Sequence, residues 1–459
     1  MKNPISIIIL AAGQGTRMRS ALPKVMHSLA GVPMLIRVIQ SAMALKPEHI
    51  YVVCGHERDQ IRAQCQAYPI TWIEQKEQLG TGDAVRQVLP LLKNPAERIL
   101  ILYGDVPLIQ TKTLENLLEN TEPNALGLLT VVLNNPTGMG RIVRESQGKI
   151  LKIVEEKDAT PEQKAIIETN TGIYVMSAEN LQRWVPKIKA NNAQKEFYLT
   201  DIISIAVAEN AVINVCEVVD KQEVQGVNDR QQLIMLERFY QIQQANQLLL
   251  SGVTIIDPTR FDLRGKAKIS QDVLIDINVI LEGDVEIASG TIIGSNCYLK
   301  NVHIGKNVEI KPNCVIENAT IGNDCKVGPF ARIRPDTVLS DGVTVGNFVE
   351  IKKSQIGKGS KIPHLSYVGD TTMGENVNFG AGAITCNYDG VNKHQTVIGN
   401  HVFIGSDSQL IAPIIIEDDA FIGAGSTISK NAPANKLTLS RSKQQTLDQW
   451  QRPVKKEEK

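Results

Sequence analysis

Two groups of residues in this chain have the types and spacing that chemistry requires. The first is the string Ala11-Ala12-Gly13-Gln14-Gly15-Thr16-Arg17-Met18, followed by Leu22-Pro23-Lys24. A glycine-rich turn between a strand and a helix offers free backbone N–H groups to a phosphate, and Arg17 and Lys24 add fixed positive charge. The string is not a dinucleotide fingerprint, because G-x-G-x-x-G needs a third glycine and position 18 is Met. The second group is Arg334, Lys352, His364, Tyr367 and Asn378. A lone histidine is more often structural. Between two cations, His364 reads as a general base, because imidazole titrates near neutral pH.

These groups sit on different scaffolds. Ile5 to Leu10 is an unbroken apolar run, as expected of a strand buried on both faces. Similar runs recur at Ile50–Val53, Ile70–Ile73, Ile99–Tyr103 and Leu126–Leu133, separated by helical stretches such as Val32–Leu45. The pattern predicts an α/β domain with a mostly parallel sheet. Tyr103-Gly104-Asp105 ends one such strand, where α/β sheets hold their ligands. Beside a phosphate loop, Asp105 is a candidate Mg²⁺ ligand, because a hard cation prefers carboxylate oxygen. Taken alone, an Asp in that position is more often a turn or helix cap.

The second scaffold is a hexad. Ile269, Ile275, Leu281, Ile287, Ile293 and Leu299 follow at intervals of six, and the phase continues with occasional steps of five to Phe379. It lapses for 19 residues and resumes from Ile398 to Ile428. This period fits neither an amphipathic helix nor strand alternation. It fits a β-helix of hexapeptide repeats, in which each short strand turns one aliphatic residue inward and stacked coils bury what one coil cannot. Glycine and Asn at the corners are expected to take positive φ. Three hexads make a coil of roughly 17 to 18 residues, which brings Arg334, Lys352 and His364 onto neighbouring coils facing one groove. The lapse, from Thr385 to His394, predicts a loop excursion lining a site. Cys386 lies in it without any sign of thiol activation.

Between the scaffolds, residues 229–250 read as one linker helix, with Leu233, Leu236, Tyr240 and Ile242 among polar residues and Gly252 as a stop. This divides the chain into 1–228, 229–250 and 251–459. Lys plus Arg and Asp plus Glu are both 49, so bulk charge favours neither nucleic acid nor membrane. The N-terminus lacks the apolar core of a signal peptide. Seven scattered Cys without a CxxC pair suggest reduced thiols and a cytoplasmic protein. The tail ending Lys455-Lys456-Glu457-Glu458-Lys459 is expected to be solvated.

The Gly13–Lys24 string resembles the sugar-nucleotide pyrophosphorylase signature. Together with the linker, the hexads, Lys361-x-x-His364-Leu365-x-Tyr367 and Asn387-Tyr388-Asp389-Gly390, the chain resembles the bacterial family of bifunctional N-acetylglucosamine-1-phosphate uridyltransferases/glucosamine-1-phosphate acetyltransferases. The resemblance covers the whole chain except its charged tail. It implies a left-handed parallel β-helix, a homotrimer, Mg²⁺, and UTP and acetyl-CoA as co-substrates. The product, UDP-N-acetylglucosamine, would feed peptidoglycan and lipopolysaccharide synthesis. It further implies catalytic roles for His364, Arg17 and Lys24. The nucleotide-sugar site would comprise Leu10, Ala11, Ala12, Gly13, Lys24, Gln75, Gly80, Thr81, Tyr103, Gly104, Asp105, Gly140, Glu155, Asn170 and Asn228, with Asp105 and Asn228 on the metal. Glucosamine-1-phosphate would meet Arg334, Lys352, Tyr367 and Asn378. Acetyl-CoA would meet Ala381, Asn387, Tyr388, Ser406, Ala424 and Arg441. Family members often carry His where Asp83 stands, which leaves the role of that side chain open. A nucleotidyltransferase with a purely oligomerising β-helix is the main alternative, and a non-catalytic binding protein is another.

Overall fold

The computed structural model describes residues 4–55, 58–453 and 455. Residues 1–3 and most of the terminal Lys455–Lys459 run therefore lie outside the described residues. The chain divides into two compact units, Met1–Tyr240 and Gln241–Lys459.

In the first unit, Ile5–Ala11 is the central strand. It pairs in parallel with His49–Cys54 on one side and Arg98–Tyr103 on the other, and Thr71–Glu74 extends the sheet beyond His49–Cys54. Ile7, Ile8 and Ile9 are fully buried because helices cover both faces of the sheet. Antiparallel pairings break the pattern, one of them between Arg141–Arg144 and Ile150–Val154. Glu168–Ser177 runs antiparallel between Arg98–Tyr103 and Leu126–Val132, and it also pairs with Arg141–Arg144. Apolar runs do not encode direction, so this strand was not readable as antiparallel. The predicted helix over Val32–Leu45 begins at Met34, because Val32–Pro33 instead pairs with Ser28–Leu29.

Met18 explains the missing third glycine. It is 1 % exposed and packs with Leu29, Met34, Val227, Leu233 and Leu236. Helix Arg230–Leu250 contributes these last two leucines, stacks Tyr240 under the Arg37 guanidinium at 4.3 Å, and ends before Gly252 at φ +93°.

The second unit is a parallel β-helix. One face is an 11-stranded ladder from Thr254–Ile255 to Leu437–Thr438, and the other two faces belong to a 15-stranded sheet. Coils repeat in register, as Ile333↔Ile351↔Val368 shows, and all three side chains are fully buried. Asn278, Asn296, Asn307 and Asn313 take positive φ at corners, and Asn301 Nδ2 donates to Asn318 Oδ1 of the next coil at 2.9 Å.

Two expectations are corrected here. Corner glycines such as Gly290, Gly342, Gly359, Gly382 and Gly425 take positive φ as expected, but among those directly after the inward aliphatic residue only Gly328 does. The latter are small because coils approach closely. A Cβ on Gly346 would lie 1.7 Å from the Pro363 carbonyl oxygen. The hexad also persists further than its aliphatic residues indicate. Thr385 is buried at the inward position, in register with Leu410. Its Oγ1 accepts from Gly369 N–H at 2.8 Å and donates to Gly369 O at 3.2 Å, so a polar residue fills an apolar slot without losing hydrogen bonds. The excursion therefore starts after Thr385. Its tip holds Tyr388 opposite Lys393 and a hydrogen-bond contact of 2.7 Å between His394 Nε2 and Asp389 Oδ2.

Candidate active sites

At the carboxyl ends of the central parallel strands of the first unit lies a cavity of about 930 Å³. Leu10, Ala11, Ala12, Gly13, Arg17, Lys24, Gln75, Gly80, Thr81, Tyr103, Asp105, Glu155 and Asn228 all line it. Gly104, Gly140 and Asn170 stand just behind. A Cβ on Gly104 would press on Leu35 and Ala11, and one on Gly140 would come within 3.4 Å of Glu155 Oε1. The Asn170 N–H donates to the Gly140 carbonyl at 2.9 Å.

The loop's glycines have distinct reasons. Gly13 faces open space, whereas Gly15 has φ +59° and a Cβ there would stand 2.6 Å from Lys24 Cβ. This close approach fixes Lys24 beside the loop. Lys24 Nζ lies 2.5 Å from Asp105 Oδ2 and 3.4 Å from Asn228 Oδ1, and Arg17 Nη2 donates to the same Asn228 oxygen at 2.9 Å. The Val227 N–H donates to the Asp105 carbonyl at 2.9 Å, which ties the two chain segments together. A carboxylate and an amide oxygen thus converge within reach of one cation, a donor set suited to a hard metal. Among the described residues there is no cluster of three or more His, Cys, Asp or Glu with metal-ligating geometry.

On the opposite wall, Glu155 accepts from Thr200 Oγ1 at 3.1 Å. Burial, chiefly, holds its carboxyl above the ordinary range, with Asp158 and Asp201 adding to the effect. Burial also pushes the Tyr103 phenol far up, helped by the Glu155 and Asp105 carboxylates. Sequence reading missed Gln194 and Glu196 on this side, and Thr200, which is buried behind Glu155. They follow no motif and meet the wall only through the fold. It also missed Glu156, directly beside Glu155, whose carboxylate pairs with buried Arg141 at 2.7 Å.

The β-helix residues separate onto two edges of one face. Arg334 and Lys352 lie at one edge on consecutive coils, the Arg334 N–H donating to Ile351 O at 2.8 Å and Arg334 Nη1 bonding Glu350 at 2.7 Å. Asp370 and Asn387 continue this edge, with Asn387 Nδ2 2.6 Å from Asp370 Oδ2. Lys393, returning from the excursion, approaches Lys352. It lowers the pKa of that ammonium, assisted by burial and by Arg334. His364 is at the other edge, and Tyr367 is on the face between them. His364 Nδ1 lies 2.7 Å from Oδ1 of Asn347, a residue that sequence reading passed over.

Ala381, Ser406 and Ala424 extend the His364 edge. Backbone bonds step along it from Gly382 N–H to His364 O, Asp407 N–H to Ala381 O, and Gly425 N–H to Ser406 O. Arg441 lies over Gly423 and Gly425. Asn378 is on the adjoining face, paired with Lys361 and Phe403. Within one chain, then, Asn387 and exposed Tyr388 are not brought to the Ser406 edge. Burial raises the Cys386 thiol, which argues against an activated nucleophile.

Residues 7–160 match the MobA-like NTP transferase domain, 263–356 the GMPPB C-terminal domain, and 395–430 the bacterial transferase hexapeptide (six repeats). Full-length relatives are named Bifunctional protein GlmU. One from Francisella tularensis subsp. novicida is 52% identical over 455 residues, covering 99% of this chain and 100% of the relative. One from Methylococcus capsulatus is 51% identical over 449 residues, covering 98% and 97%. One from Marinobacter nauticus is 50% identical over 453 residues, covering 99% and 100%.

Proposed function

This chain belongs to the GlmU family of bifunctional uridyltransferases and acetyltransferases of UDP-N-acetylglucosamine synthesis, and from that premise we propose how its residues divide the two reactions. The β-helix moves an acetyl group from acetyl-CoA to the amine of glucosamine-1-phosphate. The α/β unit then joins that product to UTP and releases pyrophosphate.

For acetyl transfer, His364 is the base. Asn347 accepts from Nδ1–H, which leaves the Nε2 lone pair free. As the amine attacks the thioester carbonyl, a C–N bond forms and the C–S bond breaks. Nε2 takes the amine proton and passes it to the departing thiolate. Arg334 and Lys352 hold the sugar phosphate, and Tyr367 and Asn378 hold the sugar. Ala381, Ser406, Ala424 and Arg441 line a groove for acetyl-CoA along the His364 edge. Asn387 and Tyr388 serve the same ligand from the other edge, which fits a site completed by a neighbouring chain. An exposed apolar edge supports a homotrimer: Phe330 and Phe348 stack at 5.3 Å beside exposed Leu365, next to His364.

For uridylyl transfer the nucleophile is an ionised phosphate oxygen, so no base is required and catalysis is positioning plus charge neutralisation. The Gly13 loop receives the triphosphate, and Arg17 and Lys24 stabilise the departing pyrophosphate. Gln75, Gly80 and Thr81 meet the base, while Gly140, Glu155 and Asn170 meet the sugar. Asp105 and Asn228 would hold Mg²⁺, which when bound would supply positive charge to offset that of the phosphates. Among the described residues no helix is long and apolar enough to cross a membrane, which is in keeping with small soluble substrates and a cytoplasmic setting.

The observation that carries this reading is the convergence of Arg17, Lys24, Asp105 and Asn228 on one cavity, in a chain whose other unit holds an oriented imidazole. Purified protein given glucosamine-1-phosphate, acetyl-CoA, UTP and Mg²⁺ should release both CoA and pyrophosphate. Pyrophosphate release from N-acetylglucosamine-1-phosphate without any CoA release would reduce the β-helix to a scaffold.

A further inference from the structure

Asp83 is the residue for which sequence offered no role. It is 6 % exposed, and both its carboxylate oxygens are engaged. Oδ2 accepts from Gln75 Nε2 at 2.9 Å, and Oδ1 accepts from Gln87 Nε2 at 3.3 Å. Gln87 is anchored in turn by a bond to the Asp83 backbone carbonyl at 3.3 Å. Gln75 is 3 % exposed and lines the nucleotide cavity. Its Nε2 also donates to the Gly80 carbonyl at 3.1 Å.

An ionised carboxylate and a backbone carbonyl are acceptors only, so the Gln75 atom facing them must be the amino group. Both of its hydrogens are committed inside the protein. The amide is planar, so its carbonyl oxygen Oε1 is what remains for the cavity. No described residue donates to it.

We infer that Asp83 sets base specificity: with the Gly80 carbonyl it holds Gln75 so that an acceptor, not a donor, meets the nucleobase. The site therefore selects a pyrimidine with hydrogen on N3, as in uracil. Cytosine has a bare lone pair at N3, and it would meet the Gln75 oxygen acceptor to acceptor. A free glutamine could flip to suit either base, whereas Asp83 removes that choice. Asp83 acts through Gln75 and is a positioning residue. The inference rests on the reading of Gln75 as base-facing.

The test is the ratio of kcat/KM for UTP to that for CTP, followed by pyrophosphate release with N-acetylglucosamine-1-phosphate and Mg²⁺. In Asp83→Asn the new amide can turn its NH₂ toward Gln75 and let that side chain flip. The UTP/CTP ratio should contract by about tenfold or more, because an unpaired polar contact is the source of discrimination. Asp83→Leu, which deletes the acceptor, should contract it similarly and serves if the first variant is insoluble. Asp83→His keeps an acceptor nitrogen and should restore most of the preference. Residual pyrophosphate release with UTP on each preparation reports that the α/β unit is folded. An unchanged ratio in either of the first two variants overturns the inference. Gln75→Ala separates the causes. If it collapses the ratio while Asp83 variants do not, only the positioning role fails. If it leaves the ratio intact, the base-facing reading of Gln75 fails as well.

Discussion

His364 and Asn347 are joined across one turn of the prism, imidazole Nδ1 to amide Oδ1 at 2.7 Å, by the register that pairs their backbones. An amide oxygen accepts only, so the ring is held as the tautomer with its proton on Nδ1 and its lone pair on Nε2. His364→Ala should lower acetyl transfer by roughly 10²- to 10⁴-fold, the usual worth of a positioned base. Asn347→Leu keeps the base but frees its orientation, and kcat should fall by about tenfold with KM for glucosamine-1-phosphate nearly unchanged. Uridylyl transfer should be unaffected in both. A rise in KM alone for Asn347→Leu would show that this residue binds substrate instead of aligning the base.

Asp105→Ala should abolish pyrophosphate release while CoA release continues. Asp105 supplies the carboxylate of the Asp105–Asn228 oxygen pair beside Lys24, and without it the proposed cation would lose its charged ligand. Titrating Mg²⁺ against both activities checks the same point. Loss of both activities in a folded variant would contradict separate sites.

The contrast between Asn347 and Thr385 shows what the sequence could convey. A hexad of aliphatic residues announces the prism because each coil repeats the same burial, and so the fold was legible from Ile269 to Ile428. Thr385 obeys that repeat but conceals it, since its hydroxyl is satisfied by Gly369 backbone atoms one coil away. Asn347 carries no local signature at all; it matters only because a coil length brings it under His364. The phosphate loop was readable because Gly13, Gly15, Arg17 and Lys24 are close in sequence. Gln194 and Glu196 were not, because they reach the cavity from a distant part of the chain. The glycines of the hexads show a different failure. Those directly after the inward aliphatic residue are required by close coil approach and, Gly328 aside, not by positive φ as the corner glycines are, and composition does not distinguish the two.

Phe330 and Phe348 are 50 % and 56 % exposed, stacked on consecutive coils with no cover in a single chain. Light scattering should give about three times the 50.4 kDa chain mass. Phe348→Asp places a charge in that apolar edge and should lower the mass at micromolar protein. Acetyl transfer should fall with it while uridylyl transfer persists. A stable monomer with full acetyl transfer would rule out a site shared between chains.

Glu155 gives a stability prediction with a pH signature. Burial, above all, raises its pKa in the folded protein, and Thr200 only partly opposes this. A carboxyl with a raised folded pKa ionises more easily in the unfolded chain. Stability is therefore lost as pH rises from the ordinary carboxylate pKa through the folded value, and the cost is absent below that window. Glu155→Gln removes the charge and retains an oxygen for the Thr200 hydroxyl. Its Tm should exceed that of the parent by about 2 °C or more near neutral pH, and the gain should vanish in acid. The same variant should lose uridylyl transfer, because the carboxylate at the cavity wall is the proposed sugar contact. Differential scanning calorimetry across pH, paired with pyrophosphate release, tests both halves. A Tm gain that persists in acid would assign the effect to packing and not to the buried charge.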